Sequence, residues 1–170
     1  SPESLSTLFG AIDAIIHAGA LVPKDGIDFT SQDLFDTNVR ACLNIGEWAL
    51  EYDIPVVFIS SSTVYAETEH PGLSEDSPTS PDGGGAYGLT KFLAEKTFEN
   101  LRARGLRVCT LRPSSIYGDG LHETKMVAGF LAVAAKDEVI VLSPPAEDRI
   151  DMVHASDVGR AAVLALEKEA

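Results

Sequence analysis

Apolar residues recur along the chain in two patterns, short continuous runs and longer segments with a period near 3.6 residues. Short continuous runs predict strands buried on both faces, and the longer period predicts helices with one apolar face. The predicted strands are 14–16 (ending near His17), 55–60, 108–111 and 139–142, with a short apolar piece at 152–154. The predicted helices are a short one opened by Ser1, a long one capped by Ser31, then 86–104, about 125–135, and a last one capped by Ser156 and Asp157.

Strands and helices that alternate in this order predict right-handed βαβ units and therefore a parallel sheet. We expect the α/β class, with a doubly wound parallel sheet and flanking helices. Active sites in such folds lie beyond the carboxyl ends of the strands, here 17–20, 60–63 and 113–118. The polar residues 66–85 are predicted to form a long loop. The glycine triplet 83–85 at the end of this loop is interpreted as a flexible lead into the next helix.

Tyr87 and Lys91 stand four residues apart near the start of a predicted helix, so both side chains lie on one face. A phenol is a poor base at neutral pH, and a nearby ammonium group favours the phenolate and would lower its pKa. The pair could therefore act as a general acid and base for the interconversion of a hydroxyl and a carbonyl. The spacing alone also fits a surface lysine beside a half-buried tyrosine.

Hydroxyl side chains follow the predicted strand 55–60 directly, in the run Ser60-Ser61-Ser62-Thr63. Hydroxyls at the carboxyl end of a strand can hydrogen-bond a substrate oxygen or a cofactor. The same residue types are also common at the start of an ordinary polar loop. This run by itself leaves both interpretations open.

The net charge of −13 disfavours nucleic acids and anionic membrane surfaces as partners, because phosphates attract Lys and Arg. Cys42 and Cys109 lie in apolar segments and are interpreted as small buried hydrophobes in a reducing compartment. His17 and His154 have no second ligand at metal-binding spacing, so no metal site is expected. No apolar run has the length of a membrane span and no signal peptide opens the chain, so the cytoplasm is the expected location.

The combination of motifs resembles the extended short-chain dehydrogenase/reductases, the group that contains nucleotide-sugar epimerases and dehydratases. The motifs occur in that family's order and cover nearly the whole chain. They are DAIIHAGA at 13–20, NV at 38–39, FISSSTVY at 58–65, YGLTK at 87–91, LRPSSIYG at 111–118 and RIDMVHASDVGRA at 149–161.

The resemblance implies a Rossmann-like sheet and a role for each matching residue. Tyr87 would be the catalytic acid and base, Lys91 would lower its pKa and bind the nicotinamide ribose, and Ser61 would hold the reacting substrate oxygen. The cofactor would be NAD or NADP, the substrate a small molecule that could be a nucleotide sugar, and the complete protein a homodimer. The remaining residues implied near the cofactor are Ala18, Gly19, Ala20, Asn38, Ser60, Pro113 and Ser114.

Several positions depart from the family pattern. Sugar dehydratases carry an acidic pair after the catalytic hydroxyl residue, where this chain has Ser62 and Thr63. This difference favours an epimerase or a plain dehydrogenase over a 4,6-dehydratase, and STVY is most similar to epimerases of the UDP-galactose 4-epimerase type. Ala66 replaces the family's glycine, and Arg149 stands one place from the usual phosphate-binding arginine, which leaves nucleotide-sugar use open.

The glycine-rich turn that binds pyrophosphate in this family has no counterpart in the sequence. We therefore interpret residues 1–170 as an incomplete, partial Rossmann-like domain that lacks the first βαβ unit, with a C-terminal substrate lobe beginning near 119. One hypothesis is an NAD(P)-dependent epimerase or dehydrogenase. The alternative is a catalytically silent fragment or pseudoenzyme that acts as an interaction module. We expect the isolated chain to bind dinucleotide poorly and to associate through the strand near 13–17.

Overall fold

Three apolar runs form a parallel sheet in the structure, which is a computed structural model that describes residues 12–22, 29–66, 72–122, 125–142 and 149–168. The strands are β1 (Ile15–His17), β2 (Val56–Ile59) and β3 (Val108–Leu111), in the order β1-β2-β3. Ile15 pairs with Val56, and Val56 with Val108. Parallel pairing with helical connections confirms the predicted α/β class.

The N-cap of the long helical segment lies one residue before the predicted cap. It comprises α1 (Ser31–Phe35), a π-helical turn at Asp36–Arg40, and α2 (Ala41–Glu51). The Thr30 hydroxyl accepts a 3.1 Å hydrogen bond from Asp33 N, and the Asp33 carboxylate accepts one of 2.8 Å from Thr30 N. This capping box makes Thr30 the cap, and the prediction of Ser31 was wrong.

The period of 3.6 residues predicts an apolar face on this segment, and the structure confirms it only in part. Its predicted members are Leu34, Val39, Leu43, Ile45, Trp48 and Leu50. Leu34, Val39 and Trp48 are buried as expected, but Leu43 is 42% exposed. The π turn holds one residue more than an α turn, which rotates the later residues around the axis. Cys42 therefore takes the inward position beside the predicted Leu43, and its relative exposure is 0%.

The hydrophobic core lies between the sheet and two helices, α2 and α3 (Gly85–Ala103). Phe58 on β2 packs against Phe98 on α3, with ring centroids 5.0 Å apart and the ring planes tilted by 40°. Fully burying a side chain of this size stabilises the fold by about 1.5–3 kcal/mol. The buried members of the cluster are Cys42, Ala49, Val56, Phe58, Ala94, Phe98, Leu101, Leu106 and Val108.

The chain divides into two compact units, the first being Ser1–Pro113 with Ala161–Ala170 and the second Ser114–Arg160. The second unit holds β4 (Ser115–Tyr117), α4 (Met126–Ala134) and β5 (Met152–His154), and β4 pairs with β5 in parallel. The strand β4 lies where the sequence predicts a loop. A run of three residues pairs only because β5 lies beside it, and sequence pattern does not encode that neighbour.

Two further expectations about this part of the chain were wrong. Val139 and Val141 lie outside any strand and are 84% and 82% exposed, because a short apolar run does not reveal whether a neighbouring strand exists to pair with it. The last helix, α5 (Ala155–Glu167), begins before Ser156, so Ser156 and Asp157 lie in its first turn rather than at its cap.

The helix expected after Ser1 lies outside the described residues. Within the parts of the chain that the structure describes, no helix is long and apolar enough to span a membrane. Cys42 is buried, and burial raises the pKa of its thiol to about 12, which fits the predicted role as an unreactive hydrophobe.

Candidate active site

The carboxyl ends of the three strands meet at one edge of the sheet, and most of the predicted site residues lie there. Ser60 N donates a 2.7 Å hydrogen bond to Leu111 O, and Ser62 N donates one of 3.0 Å to Pro113 O. These bonds hold the segment after β2 against the segment after β3. The sheet therefore brings Pro113 next to the serine run, as the topology predicts.

Ser61 is held in a defined orientation by the turn that follows it. It caps a 3₁₀ turn at Ser62–Val64, and its hydroxyl oxygen accepts hydrogen bonds from Thr63 N at 3.2 Å and from Thr63 Oγ1 at 3.0 Å. A hydroxyl that caps a turn loses rotational freedom. Ser61 is half-buried, so its side chain is both fixed and accessible.

Helix α3 carries Tyr87 and Lys91 in its first two turns, and it begins in close contact with the Ser61 turn. Gly84 is its N-cap with φ of 66°, and a Cβ there would lie 2.6 Å from Thr63 Cβ. A side chain at Gly84 is therefore excluded by packing as well as by backbone conformation. The interpretation of the glycine triplet as a flexible lead was wrong, because the close approach of two segments requires the glycine.

The Lys91 ammonium group is directed at the backbone of β2 rather than at the Tyr87 phenol. Its Nζ donates a 2.8 Å hydrogen bond to Ile59 O and lies 4.7 Å from the centre of the Phe58 ring. The centre of the Tyr87 ring is 5.9 Å from the same Nζ. Lys91 is 3% exposed, so the spacing reflects a buried lysine and not a surface one.

Burial shifts the pKa values of both residues toward their neutral forms. It raises the pKa of the Tyr87 phenol. It also lowers the pKa of Lys91, an effect that the Cys42 thiol and the Glu95 carboxylate oppose. The pKa of Tyr87 therefore moves opposite to the expected direction in the ligand-free protein, where the phenol is protonated at neutral pH. Desolvation of the Tyr87 phenol raises its pKa, and the Lys91 ammonium group, which is already hydrogen-bonded to Ile59 O, does not offset this rise.

Asn38 is almost fully buried and connects two parts of the site through its side chain. Its amide pairs with both backbone groups of Leu21, accepting from N at 2.7 Å and donating to O at 2.9 Å. Its Nδ2 also donates a 3.0 Å hydrogen bond to Thr90 Oγ1, and Thr90 donates one of 2.8 Å to Tyr87 O. Asn38 thus supports the site through its side-chain amide rather than its backbone.

The small residues after β1 leave their backbone open to solvent. Ala18 and Gly19 are exposed and Ala20 is half-buried. Among the described residues, a Cβ added to Gly19 would contact the His17 ring alone, at 3.7 Å. This surface can admit a flat ligand close to the main chain.

Two other residues expected near the cofactor are placed differently. Ser60 is 4% exposed, and its buried hydroxyl has no hydrogen-bond partner among the residues that the structure describes. Ser114 begins the second unit, immediately before β4. No three His, Cys, Asp or Glu side chains come together as metal ligands in the described ranges.

Sequence reasoning missed an ion pair behind the site. Glu95 is 2% exposed, and its carboxylate accepts from Arg112 Nε at 3.0 Å and from Arg112 Nη2 at 2.8 Å. Arg112 Nη1 also donates to Glu75 O at 3.1 Å. Glu95 stands four residues after Lys91, so both lie on one face of the helix. This spacing was the feature of the sequence that could have indicated a buried carboxylate near the site.

A parallel α/β sheet with a Tyr-x-x-x-Lys helix and a serine at the end of the central strand defines a protein of the short-chain dehydrogenase/reductase type. The sequence model of the NAD dependent epimerase/dehydratase family matches residues 1–170, and the chain belongs to that family.

Relatives of known identity agree with this assignment. The chain is 29% identical over 90% of its length to the hybrid PKS-NRPS synthetase xenE of Xenoacremonium sinensis, of which it covers 4%. It is 28% identical over 91% of its length to MoeE5 in complex with UDP-glucose and NAD, with a TM-score of 0.76, and covers 52% of that chain. UDP-N-acetylglucosamine 4-epimerase from Bacillus cereus has the same fold, with a TM-score of 0.85 and 23% identity over 99% of this chain and 58% of that one. The chain thus spans a small part of the synthetase and little more than half of each solved structure.

Proposed function

We propose that the chain carries the catalytic residues of an NAD-dependent epimerase or dehydrogenase that interconverts a hydroxyl and a carbonyl on a nucleotide sugar. The main support is the direct packing of the Ser61 turn against the start of the helix that carries Tyr87 and Lys91. The family relationship and the NAD and UDP-glucose bound to MoeE5 favour the cofactor and the substrate class.

The residues at the edge of the sheet fit a dinucleotide. Ala18 and Gly19 offer exposed backbone without bulky side chains, and Lys91 supplies a buried positive charge. Lys91 and Tyr87 would border the nicotinamide ribose. Pro113 would lie near them, at the carboxyl end of the neighbouring strand β3. When bound, the nicotinamide ring would accept or donate the hydride.

The chain's own residues would manage the proton and the oxygen. Ser61 would hold the substrate oxygen through its hydroxyl. Tyr87, protonated at neutral pH because burial raises its pKa, would donate its proton to a carbonyl oxygen during reduction and take it back during oxidation. Lys91 would stabilise the phenolate form and orient the ribose.

The test uses the full-length protein, with NAD and UDP-glucose as the first substrate pair and other UDP- and dTDP-sugars as a panel. We expect Tyr87→Phe to lower kcat by at least about 100-fold, because the acid and base group is lost while the ring remains. NAD affinity measured by titration calorimetry should stay nearly unchanged.

Tyr52→Phe is the matched control, because Tyr52 is 53% exposed and packs only at the end of α2, against Trp48. Activity of Tyr87→Phe within tenfold of the wild type would refute the assignment. A full-length protein that binds no NAD would favour the alternative of a silent interaction module. Light scattering on the same protein tests the expected homodimer.

A further inference from the structure

Thr63 lies between the two catalytic segments and contacts both. On one side its backbone N and its Oγ1 lie 3.2 Å and 3.0 Å from the Ser61 hydroxyl oxygen. On the other side its Cβ and Oγ1 face Gly84, where an added Cβ would lie 2.6 Å and 3.2 Å from them. Gly84 caps the helix that carries Tyr87, so the Thr63 side chain is confined from both directions.

The groups around Ser61 determine which role its hydroxyl can take. A serine hydroxyl has one proton to donate and two lone pairs that accept. The Thr63 N–H donates to one lone pair of Ser61, and the Thr63 hydroxyl lies 3.0 Å away, where it can donate to the other. When both lone pairs are filled in this way, an oxygen that approaches from the site meets the Ser61 proton.

We propose that Thr63 is a positioning residue that orients the Ser61 hydroxyl as a donor to the substrate oxygen, an inference that rests on the proposed function. A donor at this place stabilises a carbonyl oxygen as negative charge develops on it. The Thr63 hydroxyl is the part of the side chain that matters, because Thr63 N would remain after any substitution. Packing against Gly84 keeps the Thr63 rotamer that directs Oγ1 at Ser61.

The decisive experiment is a double-mutant cycle on the full-length protein. The variants are Thr63→Val, which keeps the shape and removes the hydroxyl, Thr63→Ser, which restores it, and Ser61→Ala, alone and combined with Thr63→Val. Single-turnover formation of NADH from NAD and UDP-glucose is the readout. We expect Thr63→Val to slow the step about tenfold, the effect of one lost hydrogen bond in the transition state.

Thr63→Ser should return the rate to within about twofold of the wild type, because its hydroxyl can make the same bond. In the Ser61→Ala background, Thr63→Val should not slow the step further. Thr63 is proposed to act on the substrate through the Ser61 hydroxyl, and that hydroxyl is absent in this background. A merely structural Thr63 would slow both backgrounds equally, and that additive result would overturn the inference. If Thr63→Val does not fold by circular dichroism, Thr63→Ala takes its place under the same criteria.

The two levels of the proposal can fail separately. A fully active Ser61→Ala protein would refute the assigned site, whereas an impaired Ser61→Ala with a wild-type rate for Thr63→Val would refute only the role of Thr63. A crystal structure of Thr63→Val provides a readout that needs no substrate. We expect the Ser61 hydroxyl to leave its single rotamer there and to keep it in Thr63→Ser; an unchanged rotamer in Thr63→Val would overturn the inference.

Discussion

Asn38 Nδ2 donates a 3.0 Å hydrogen bond to Thr90 Oγ1, joining residues 52 positions apart in the sequence. The other end of this link is the backbone of Leu21, just beyond the small residues that follow β1. Thr90 continues it to Tyr87 O. One buried amide therefore connects the loop expected to contact the cofactor with the helix that carries Tyr87.

Replacing Thr90 with valine should destabilise the protein by about 2 kcal/mol, because the buried Asn38 amide loses an acceptor that water cannot replace. Thr97→Val is the control on the same helix, since the Thr97 hydroxyl donates to Leu93 O within its own turn. We expect the control to change stability by less than about 0.5 kcal/mol. Urea unfolding of both variants measures the difference, and equal losses would show that the link to Asn38 has no energetic weight.

Replacing Lys91 with methionine should weaken NAD binding and raise the pH at which oxidation of the substrate begins. Burial already raises the pKa of Tyr87, and loss of a positive charge whose Nζ lies 5.9 Å from the ring centre should raise that pKa further. The phenolate needed for oxidation then forms only at higher pH. Lys96→Met, on the same helix but exposed, should leave the pH profile of kcat unchanged. A superimposable profile for Lys91→Met would show that Lys91 has no part in proton transfer.

The sequence predicts the sheet and the location of the site because both depend on patterns that are local in the chain. Runs such as 55–60 have the length and apolarity of a buried strand, and the carboxyl ends of parallel strands must meet at one edge. Ser61, Pro113 and the Tyr87 helix are placed together by that rule alone.

Features that depend on a neighbour distant in sequence could not be predicted. The close approach of Gly84 to Thr63, the ion pair of Glu95 with Arg112 and the pairing of β4 all require the assembled fold. The direction of the pKa shift of Tyr87 is of the same kind, because it depends on how deeply the phenol is buried.

Replacing Gly84 with alanine should destabilise the protein more than replacing Gly85. Both residues have positive φ, 66° and 59°, so alanine costs about 1–2 kcal/mol of backbone strain at either position. A Cβ at Gly85 meets nothing within 4 Å, whereas one at Gly84 lies 2.6 Å from Thr63 Cβ. The additional clash should displace Thr63 and lower kcat about tenfold in Gly84→Ala only. Thermal unfolding and kcat of the two variants decide the matter; similar values for both would mean that the contact with Thr63 is easily relaxed.

Acid should destabilise the protein through His17. The ring stacks on Phe58 with centroids 5.8 Å apart, and its buried Nε2 has no hydrogen-bond partner within the described ranges of the chain. Burial and then the charge of Lys91 lower the pKa of His17 below its ordinary value. As the pH falls through the ordinary pKa of about 6.5, the unfolded chain gains a proton that the folded protein resists, so stability is lost.

The variant His17→Phe keeps the stacking and removes the titration. We expect the drop in unfolding free energy between about pH 7.5 and about pH 5.5 to be smaller in this variant than in the wild type. Urea unfolding at the two pH values gives both numbers. An identical drop in both proteins would assign the acid sensitivity to other groups.

The Glu95–Arg112 pair should contribute far more than the exposed pairs of the same helix. Glu95 is 2% exposed, so Glu95→Gln leaves the Arg112 guanidinium without its charge partner in a partly buried place, at a cost of about 3 kcal/mol. Lys96 and Glu99 form a comparable 2.8 Å contact in which both side chains are about half exposed, and Glu99→Gln should cost less than about 0.5 kcal/mol.

The Glu95 carboxylate also raises the pKa of Lys91, so its loss should lower that pKa and weaken NAD binding, an effect that Glu99→Gln should lack. Urea unfolding and NAD titration of both variants test these differences, and a Glu95→Gln protein as stable as Glu99→Gln would show that water replaces the buried carboxylate at no cost.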